Sequence, residues 1–329
     1  MIENKFLTVF FPVTITGGSS NQTPNFERFS VEEATETFIW DNNRKVSWME
    51  CGDPKGFPVF FAHGCPGSRL EILFMDEKAR QHGFRVIVFE RPGFGRSDLI
   101  KGYLLLAFAK DLEKMADELK IKKFGLIGWS SGGPPVLAAA YHLPKRAAFV
   151  FSLSGYTDFG KFEDAKNLMA EHQLYGPELF DTSPRLFKRV LKMVRWTDIH
   201  LPNFYFKLAK EEMSLPDRKI LQDPLIAGLF IRDQEEAMVA GTRQIFQDLT
   251  IQWEPWDFDV TQITVPTYIF QGKQDSFVPW QFGQHLADMI PNAKQELYED
   301  RGHLFILEPS FQEELFCLAK KIMRNSFQG

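Results

Sequence analysis

A serine, an aspartate and a histidine stand in this sequence where they could together carry out nucleophilic catalysis. Ser130 is the centre of Gly-Trp-Ser-Ser-Gly (128–132), Asp275 directly follows an apolar segment, and His303 lies in a Gly-His loop after the last predicted strand. A serine hydroxyl is a weak nucleophile near neutral pH, so it needs a histidine to take its proton and a carboxylate to orient that histidine. The pattern predicts acyl transfer in which Ser130 attacks a carbonyl group, His303 transfers the proton and Asp275 orients His303.

Acyl transfer also requires N–H groups that stabilise the negative oxygen of the tetrahedral intermediate. The backbone N–H of Ser131 directly follows the serine at a predicted helix start, where the helix dipole adds to the effect. The loop at residues 63–67, His-Gly-Cys-Pro-Gly, follows another predicted strand, and the backbone N–H of Cys65 is the expected second donor. Gly64 and Trp129 neighbour these donors along the chain and are expected to contact the substrate. We expect the Cys65 side chain to be a small loop residue, because a cysteine nucleophile would need an elbow of its own with a base nearby.

Two of these assignments have alternatives within the chain. If Ser131 were the central serine, Trp129 would occupy a position that must be small. The motif therefore favours Ser130 as the central serine. Asp158 also follows a predicted strand and is the alternative acid. Asp300 lies closer to the histidine along the chain but is expected to be a turn residue.

Short apolar segments that alternate with helix-like segments predict the scaffold for these residues. The segment before the serine is apolar, and Pro134 and Pro135 suit the first turn of the helix that follows it. Apolar residues recur at helical spacing between 104 and 119, and a further helix is predicted over 70–82. Buried strands that alternate with helices are typical of an α/β fold with a mostly parallel sheet. Strands are predicted at Thr37–Trp40, Lys45–Met49, Pro58–Ala62, Arg85–Phe89, Phe124–Ile127, Ala147–Leu153, Pro266–Phe270 and Lys294–Tyr298.

The pattern divides the chain into three parts. Residues 37–155 and 259–329 carry the alternating strands and helices, so we expect them to form the α/β core. Residues 156–258 are helix-like, broken by several X-Pro pairs and rich in aromatic residues, and we expect a helical cap inserted into the core. Residues 1–36 are expected to be an N-terminal extension with a loop at 17–24.

Composition and motifs exclude several classes of function. Of the 329 residues, 44% are apolar and 25% are charged, the net charge is −5, and no basic stripe indicates a nucleic-acid partner. No apolar run of 18 residues predicts a membrane span. No His-Glu-x-x-His spacing predicts a metal site, and no Gly-x-Gly-x-x-Gly follows a strand. We therefore expect neither a metal nor a cofactor.

The number and spacing of the cysteines indicate the cellular compartment of the protein. The chain has three, an odd number without C-x-x-C spacing, so no disulfide framework is implied. A reducing, cytoplasmic location is the expectation. Residues 6–15 are apolar and leave secretion as an alternative, although Glu3 precedes them and no Ala-x-Ala site follows.

In these motifs the chain resembles the α/β-hydrolase superfamily, from about residue 37 to the C-terminus apart from the predicted cap. Its His-Gly-x-Pro-Gly loop is similar to that of the branch that holds proline iminopeptidases, epoxide hydrolases and small esterases. The resemblance implies the triad Ser130, Asp275 and His303, a structural role for the segment 91–97, and a cis peptide bond before Pro66. Epoxide hydrolases and haloalkane dehalogenases carry Asp at the nucleophile position, so the serine disfavours both activities.

These observations predict a serine hydrolase that cleaves a carboxylic ester of a small molecule. The aromatic residues of the predicted cap indicate an apolar acyl or alcohol group. Aminopeptidase, lactonase and carbon–carbon bond hydrolase activities on the same triad are alternatives, and so is a ligand-binding protein without catalysis. An aminopeptidase like the proline iminopeptidases would need cap carboxylates for an ammonium group, which the glutamate pairs at 211–212 and 235–236 could supply. Cys65 and Trp129 depart from the motifs of those peptidases, and the oligomeric state stays open.

Overall fold

The fold is built around a sheet of eight strands in the part of the chain that the structure, a computed structural model, describes: residues 35–40, 43–171 and 176–326. The predicted N-terminal extension, with its loop at 17–24, lies outside the described residues except for its last two. The strands are β1 (Glu36–Ile39), β2 (Lys45–Gly52), β3 (Phe57–Ala62), β4 (Phe84–Phe89), β5 (Phe124–Trp129), β6 (Ala147–Leu153), β7 (Thr267–Gly272) and β8 (Lys294–Tyr298).

The sheet is parallel apart from its first strands. The order is β1-β2-β4-β3-β5-β6-β7-β8, with antiparallel pairing of β1 with β2 and of β2 with β4. Every residue of β5 is buried, and Ile127 at its centre pairs with Phe61 of β3 and with Phe151 of β6. Parallel strands bring their carboxyl ends to one edge, where ligands bind in open α/β sheets. The predicted α/β fold with a mostly parallel sheet is confirmed.

Helices bury their apolar sides against both faces of the sheet. On one face lie α2 (Leu105–Glu118), α3 (Gly133–His142) and α11 (Trp280–Met289). On the other face lie α1 (Asp76–His82) and α12 (Pro309–Ser326). This two-sided cover explains why the central strands are continuously apolar rather than alternating.

The helix predicted over 70–82 is two helices in the structure. A 3-10 helix spans Arg69–Met75 and begins at Ser68, whose hydroxyl accepts the backbone N–H of Leu70; α1 then follows. Residues on several sides of this 3-10 helix are buried, so the apolar pattern does not distinguish its tighter winding from an α-helix.

Between β6 and β7 the chain forms seven α-helices among its described residues, which together we call the helical segment. An apolar cluster that includes Phe187 and Trp253 from this segment packs against Phe282 of α11. The predicted cap limits, 156–258, stay a prediction. The helices are α4 (Ala165–Glu171), α5 (Gly176–Thr182), α6 (Pro184–His200), α7 (Pro202–Glu212), α8 (Leu215–Ile220), α9 (Pro224–Met238) and α10 (Arg243–Trp253).

Asp158 ties the two ends of this insertion together. Its Oδ1 accepts the backbone N–H of Gly160 at 2.9 Å and that of Trp256 at 3.3 Å. The alternative acid therefore binds backbone groups where the chain leaves and re-enters the core. Within the described residues, no helix is both long enough and apolar enough to span a bilayer.

Candidate active site

Ser130 lies at a sharp turn between β5 and α3. The strand ends at Trp129, a short 3-10 helix follows, and Ser130 itself has φ of 55°. Glycine is required on both sides of it. A Cβ on Gly128 would lie 2.1 Å from the Gly132 carbonyl oxygen, and one on Gly132 would lie 2.0 Å from the Ala62 carbonyl oxygen. The tight turn around Ser130 thus requires glycine at 128, and the approach of the turn to the end of β3 requires it at 132.

His303 and Asp275 form a buried hydrogen-bonded pair after β8 and β7. The distance from His303 Nδ1 to Asp275 Oδ2 is 2.7 Å, and the two residues are 7% and 2% exposed. Asp275 Oδ1 accepts the backbone N–H groups of Phe277 and Val278, both at 2.8 Å, which fixes the carboxylate. Burial alone would lower the pKa of His303, but the charge of Asp275 and its hydrogen bond outweigh burial and raise it.

Trp129 contacts the same histidine. Its indole Nε1–H donates to the His303 carbonyl oxygen at 3.2 Å, and the two ring centroids lie 5.6 Å apart. A residue expected from its chain position to contact the substrate therefore also positions the histidine loop.

A carboxylate from the helical segment holds the backbone of that loop. Asp217, on α8, accepts the N–H of His303 at 2.9 Å and the N–H of Leu304 at 2.7 Å. Burial raises the pKa of Asp217, and these two N–H groups oppose the rise. Ser214, three residues earlier, also donates its hydroxyl to Asp217. The Ser-x-x-Asp spacing is typical of a local helix start, so the sequence gives no sign of the tertiary contact.

The loop at 63–67 lies against Ser130, and the peptide bond between Cys65 and Pro66 is cis, as the resemblance implied. The buried guanidinium of Arg91 donates to the Gly64 carbonyl oxygen at 2.8 Å and to the Ser131 carbonyl oxygen at 3.0 Å. Arg91 thereby ties together the two backbone segments that carry the expected oxyanion donors.

Glu71 is a buried acid that sequence reasoning missed. Both of its carboxyl oxygens lie 3.0 Å from the backbone nitrogen of Gly64, so that N–H is already engaged. Burial raises the pKa of Glu71 and the charge of Asp233 adds to the rise, while the Gly64 N–H and Arg91 oppose it.

The Cys65 side chain lies beside Asp248 of α10. Burial raises the pKa of the Cys65 thiol, and the Asp248 carboxylate raises it further. A thiol in this setting stays protonated and is a poor nucleophile. The structure also leaves Asp300 exposed, whereas Asp275 is buried beside the histidine.

Ser130 and His303 line one cavity of about 530 Å³. Gly64, Cys65 and Trp129 line it as well, and most of its remaining wall is apolar and comes from the helical segment. The described lining includes the acidic residues Glu71, Asp198 and Glu212 but no lysine or arginine. Of the glutamates weighed for a peptidase, Glu212 therefore lines the cavity, whereas Glu235 is exposed.

Away from this cavity, the described residues include a group of possible metal ligands: His82, Glu313 and Cys317. Glu313 lies 2.9 Å from His82 Nε2 and also pairs with Lys78 at 2.9 Å. The group lies on α1 and α12 and contributes nothing to the cavity.

The site thus has its serine, acid and histidine after β5, β7 and β8, at the carboxyl edge of a parallel sheet. The sequence pattern of the alpha/beta hydrolase fold matches residues 58–310. The chain belongs to the alpha/beta hydrolase fold family. This membership confirms the predicted superfamily and the class of hydrolase enzymes.

Individual members of the alpha/beta hydrolase fold family share part of this sequence and fold. A 2-hydroxy-6-oxononadienedioate/2-hydroxy-6-oxononatrienedioate hydrolase of Cupriavidus pinatubonensis is 27% identical over 228 residues, which are 67% of this chain and 70% of that protein. An esterase from Exiguobacterium antarcticum has a TM-score of 0.60 at 18% identity, covering 87% of this chain and 98% of its own. The esterase RhEst1 from Rhodococcus sp. ECU1013 has a TM-score of 0.62 at 17% identity, covering 88% and 99%. The two structures show likeness of fold.

Proposed function

We propose that this protein is a serine hydrolase that cleaves the carboxylic ester of a small, largely apolar molecule through an acyl-enzyme. The observation that carries the proposal is the buried pair of Asp275 and His303, whose histidine lines the same cavity as Ser130 at its sharp turn. Ser130, Asp275 and His303 act as the catalytic triad, and the backbone N–H groups of Cys65 and Ser131 hold the oxyanion.

The hydrogen bond to Asp275 assigns the roles of the two histidine nitrogens. Nδ1–H donates to the carboxylate, so Nε2 is free to act as the base. Ser130 Oγ bonds to the ester carbonyl carbon while His303 takes its proton. The carbon–oxygen bond of the ester then breaks, and His303 returns the proton to the departing alcohol. Water attacks the acyl-enzyme by the same route in reverse, which releases the acid and restores the serine.

The charge of the cavity favours an ester over the substrate class in the names of the related hydrolases. A dienedioate carries two carboxylates, and the described lining includes three acidic residues and neither a lysine nor an arginine to pair with them. Unpaired anions are costly to bring into such an apolar site. We therefore propose ester cleavage rather than carbon–carbon cleavage of a dicarboxylate.

Labelling with a fluorophosphonate probe tests the nucleophile. We expect the wild type and Ser131→Ala to be labelled and Ser130→Ala not to be, with circular dichroism confirming that all three are folded. A folded wild type that resists labelling would contradict the proposal and favour ligand binding without catalysis.

A substrate panel then tests the reaction. It contains 4-nitrophenyl esters with two to eight acyl carbons, lactones and aminoacyl anilides, and we expect the esters to have the highest kcat/KM. Turnover of a lactone or an anilide in preference to every ester would replace the esterase proposal while keeping the nucleophile.

A further inference from the structure

Asp198 is a buried acid in the wall of the cavity that the proposed ester hydrolysis does not use. It lies near the end of α6, is 1% exposed, and lines the same cavity as Ser130 and His303. Its Oδ2 makes no hydrogen bond with any described residue. Buried polar atoms in proteins are nearly always hydrogen-bonded, so an unpartnered carboxylate oxygen at a cavity wall calls for a partner from within the cavity.

We propose that Asp198 binds a protonated amine on the substrate. The proposal rests on the proposed function, because it assigns a second group to the molecule whose ester is cleaved. An ammonium group fits because it is a donor without acceptor capacity, and because the described lining provides carboxyl groups and no competing lysine or arginine.

The polar and charged side chains near Asp198 leave it available to bind a cation. Tyr205 and Glu212 of α7 line the cavity with it, and burial followed by the charge of Asp198 raises the pKa of Tyr205. Arg195, one turn earlier on α6, donates instead to the carbonyl oxygens of Met238 and Val239. Its positive charge is thus fixed to the backbone of α9 and the residue after it.

Burial and the charge of Glu235 raise the pKa of Asp198 to about 7, while Arg195 opposes the rise. An incoming ammonium group favours the ionised carboxylate, so its binding releases a proton below that pH. Affinity for the amine should therefore weaken as pH falls below about 7, although the amine itself stays charged.

Competitive inhibition by simple alkyl compounds tests the amine site. This test does not require the position of the amine on the substrate to be known. Alkylammonium ions of four to eight carbons are compared with alcohols and carboxylates of equal length, as inhibitors of 4-nitrophenyl butyrate hydrolysis at pH 8. We expect the best ammonium ion to bind at least about tenfold more tightly than its alcohol, as one charge-assisted hydrogen bond provides. Equal affinities of ammonium ion and alcohol would overturn the proposal.

Asp198→Asn removes the charge while keeping the shape, and Asp181→Asn is the matched control on the exposed end of α5. We expect the ratio of ammonium to alcohol affinity to fall about tenfold in Asp198→Asn and to keep its wild-type value in Asp181→Asn. A ratio that survives in Asp198→Asn contradicts the assignment.

Two measurements keep the test independent of the variant and of turnover. In the wild type, the ammonium preference should decline between pH 8 and pH 5.5, and a constant preference would overturn the proposal. Thermal stabilisation by the same ligands gives the preference without any substrate. If the protein prefers ammonium ions but hydrolyses no ester, the amine site is supported and the proposed function is contradicted. If it hydrolyses esters without that preference, the proposed function is supported and the amine site is contradicted.

Discussion

Ser130 holds its backbone in the left-handed region, where an L side chain costs free energy. Glycine adopts this conformation without that cost. We therefore predict that the free energy of unfolding of Ser130→Gly is roughly 1 kcal/mol higher than that of Ser130→Ala. Both variants are expected to be inactive. Urea denaturation of the two variants measures the difference.

Ser131 supplies the control for this comparison. It directly follows in the same 3-10 helix and is not among the residues with positive φ. There we expect the opposite order, with Ser131→Gly about 0.5–1 kcal/mol less stable than Ser131→Ala. The same order at both positions would contradict the idea that the turn stores strain at the nucleophile.

Asp217 accepts the backbone N–H of His303 and is not among the described residues that line the cavity, so we regard it as a positioning residue. In the proposed mechanism His303 must be neutral to take the serine proton, so kcat/KM is expected to rise with pH through the pKa of His303. Asp217 is one of the charges that raise this pKa. We predict that Asp217→Asn shifts the acidic limb of the kcat/KM profile to lower pH and lowers its plateau about tenfold, since one accepting oxygen is lost.

A pH–rate profile on a neutral ester measures both effects. The control is Asp300→Asn, three residues before His303 and exposed, which should leave the limb in place. A lowered plateau with an unmoved limb would mean that Asp217 serves only the stability of the loop.

Individual side chains differ in how far the sequence reveals them. Ser130, Asp275 and His303 could be predicted because each follows a strand of a parallel sheet, and such strands end at one edge. Asp217 and Asp198 could not, because each lies in a Pro-broken helical region whose packing onto the cavity is decided by tertiary contacts. Asp217, for example, is 86 residues from the N–H group of His303 that it accepts.

Between elements, the ion pair of Arg91 and Asp248 joins the loop after β4 to α10. The two side chains are 2.9 Å apart, and both are largely buried. We predict that Arg91→Met destabilises the protein by about 3–5 kcal/mol, because it leaves Asp248 buried without its cation. Asp248→Asn should cost less, since Arg91 keeps its two carbonyl acceptors.

Urea denaturation of the single variants and of Arg91→Met/Asp248→Asn measures the coupling. The double variant should lose less than the sum of the two single losses. The exposed pair of Lys166 and Asp181 is the reference, and Lys166→Met should change stability by no more than ~1 kcal/mol. Additive losses at Arg91 and Asp248 would show that the pair contributes no coupling.

The periodicity of apolar residues predicts most strands and helices of the core, but not the 3-10 helix after β3. The strands and the flanking helices lie close to their predicted limits because apolar residues recur at the spacing of the element. The 3-10 helix at Arg69–Met75 escaped prediction because its winding depends on burial on several sides. The seven α-helices of the helical segment were expected only as a class, since periodicity within a helix does not say which helices pack against one another.

Across the whole molecule, buried carboxyl groups should make stability depend on pH in an unusual direction. Burial raises the pKa of Asp233 to about 7, and Glu71 beside it is raised as well. The folded state therefore holds these protons to higher pH than the unfolded state, and stability falls as pH rises from about 5 to 8. We predict that Asp233→Asn removes roughly 2 kcal/mol of this fall.

Denaturant unfolding at pH 5 and at pH 8 measures this change. Asparagine at position 233 can still accept the N–H and hydroxyl of Ser68, so the local hydrogen bonds persist. Asp181→Asn, at an exposed site, should leave the pH dependence as in the wild type. A protein that is more stable at pH 8 than at pH 5 would contradict the prediction.

Asp158 and its two backbone partners have a consequence for how such a protein diversifies. The helical segment leaves the sheet after β6 and returns at β7, the neighbour of β6, and Asp158 fastens the two points together. The chain thus enters and leaves the helical segment between two neighbouring strands, and the pairing of β5 with β6 and of β6 with β7 involves none of its helices. We expect related proteins to exchange most helices of the segment, which changes the molecules that enter the cavity, while they retain an acceptor at the position of Asp217 for the His303 loop.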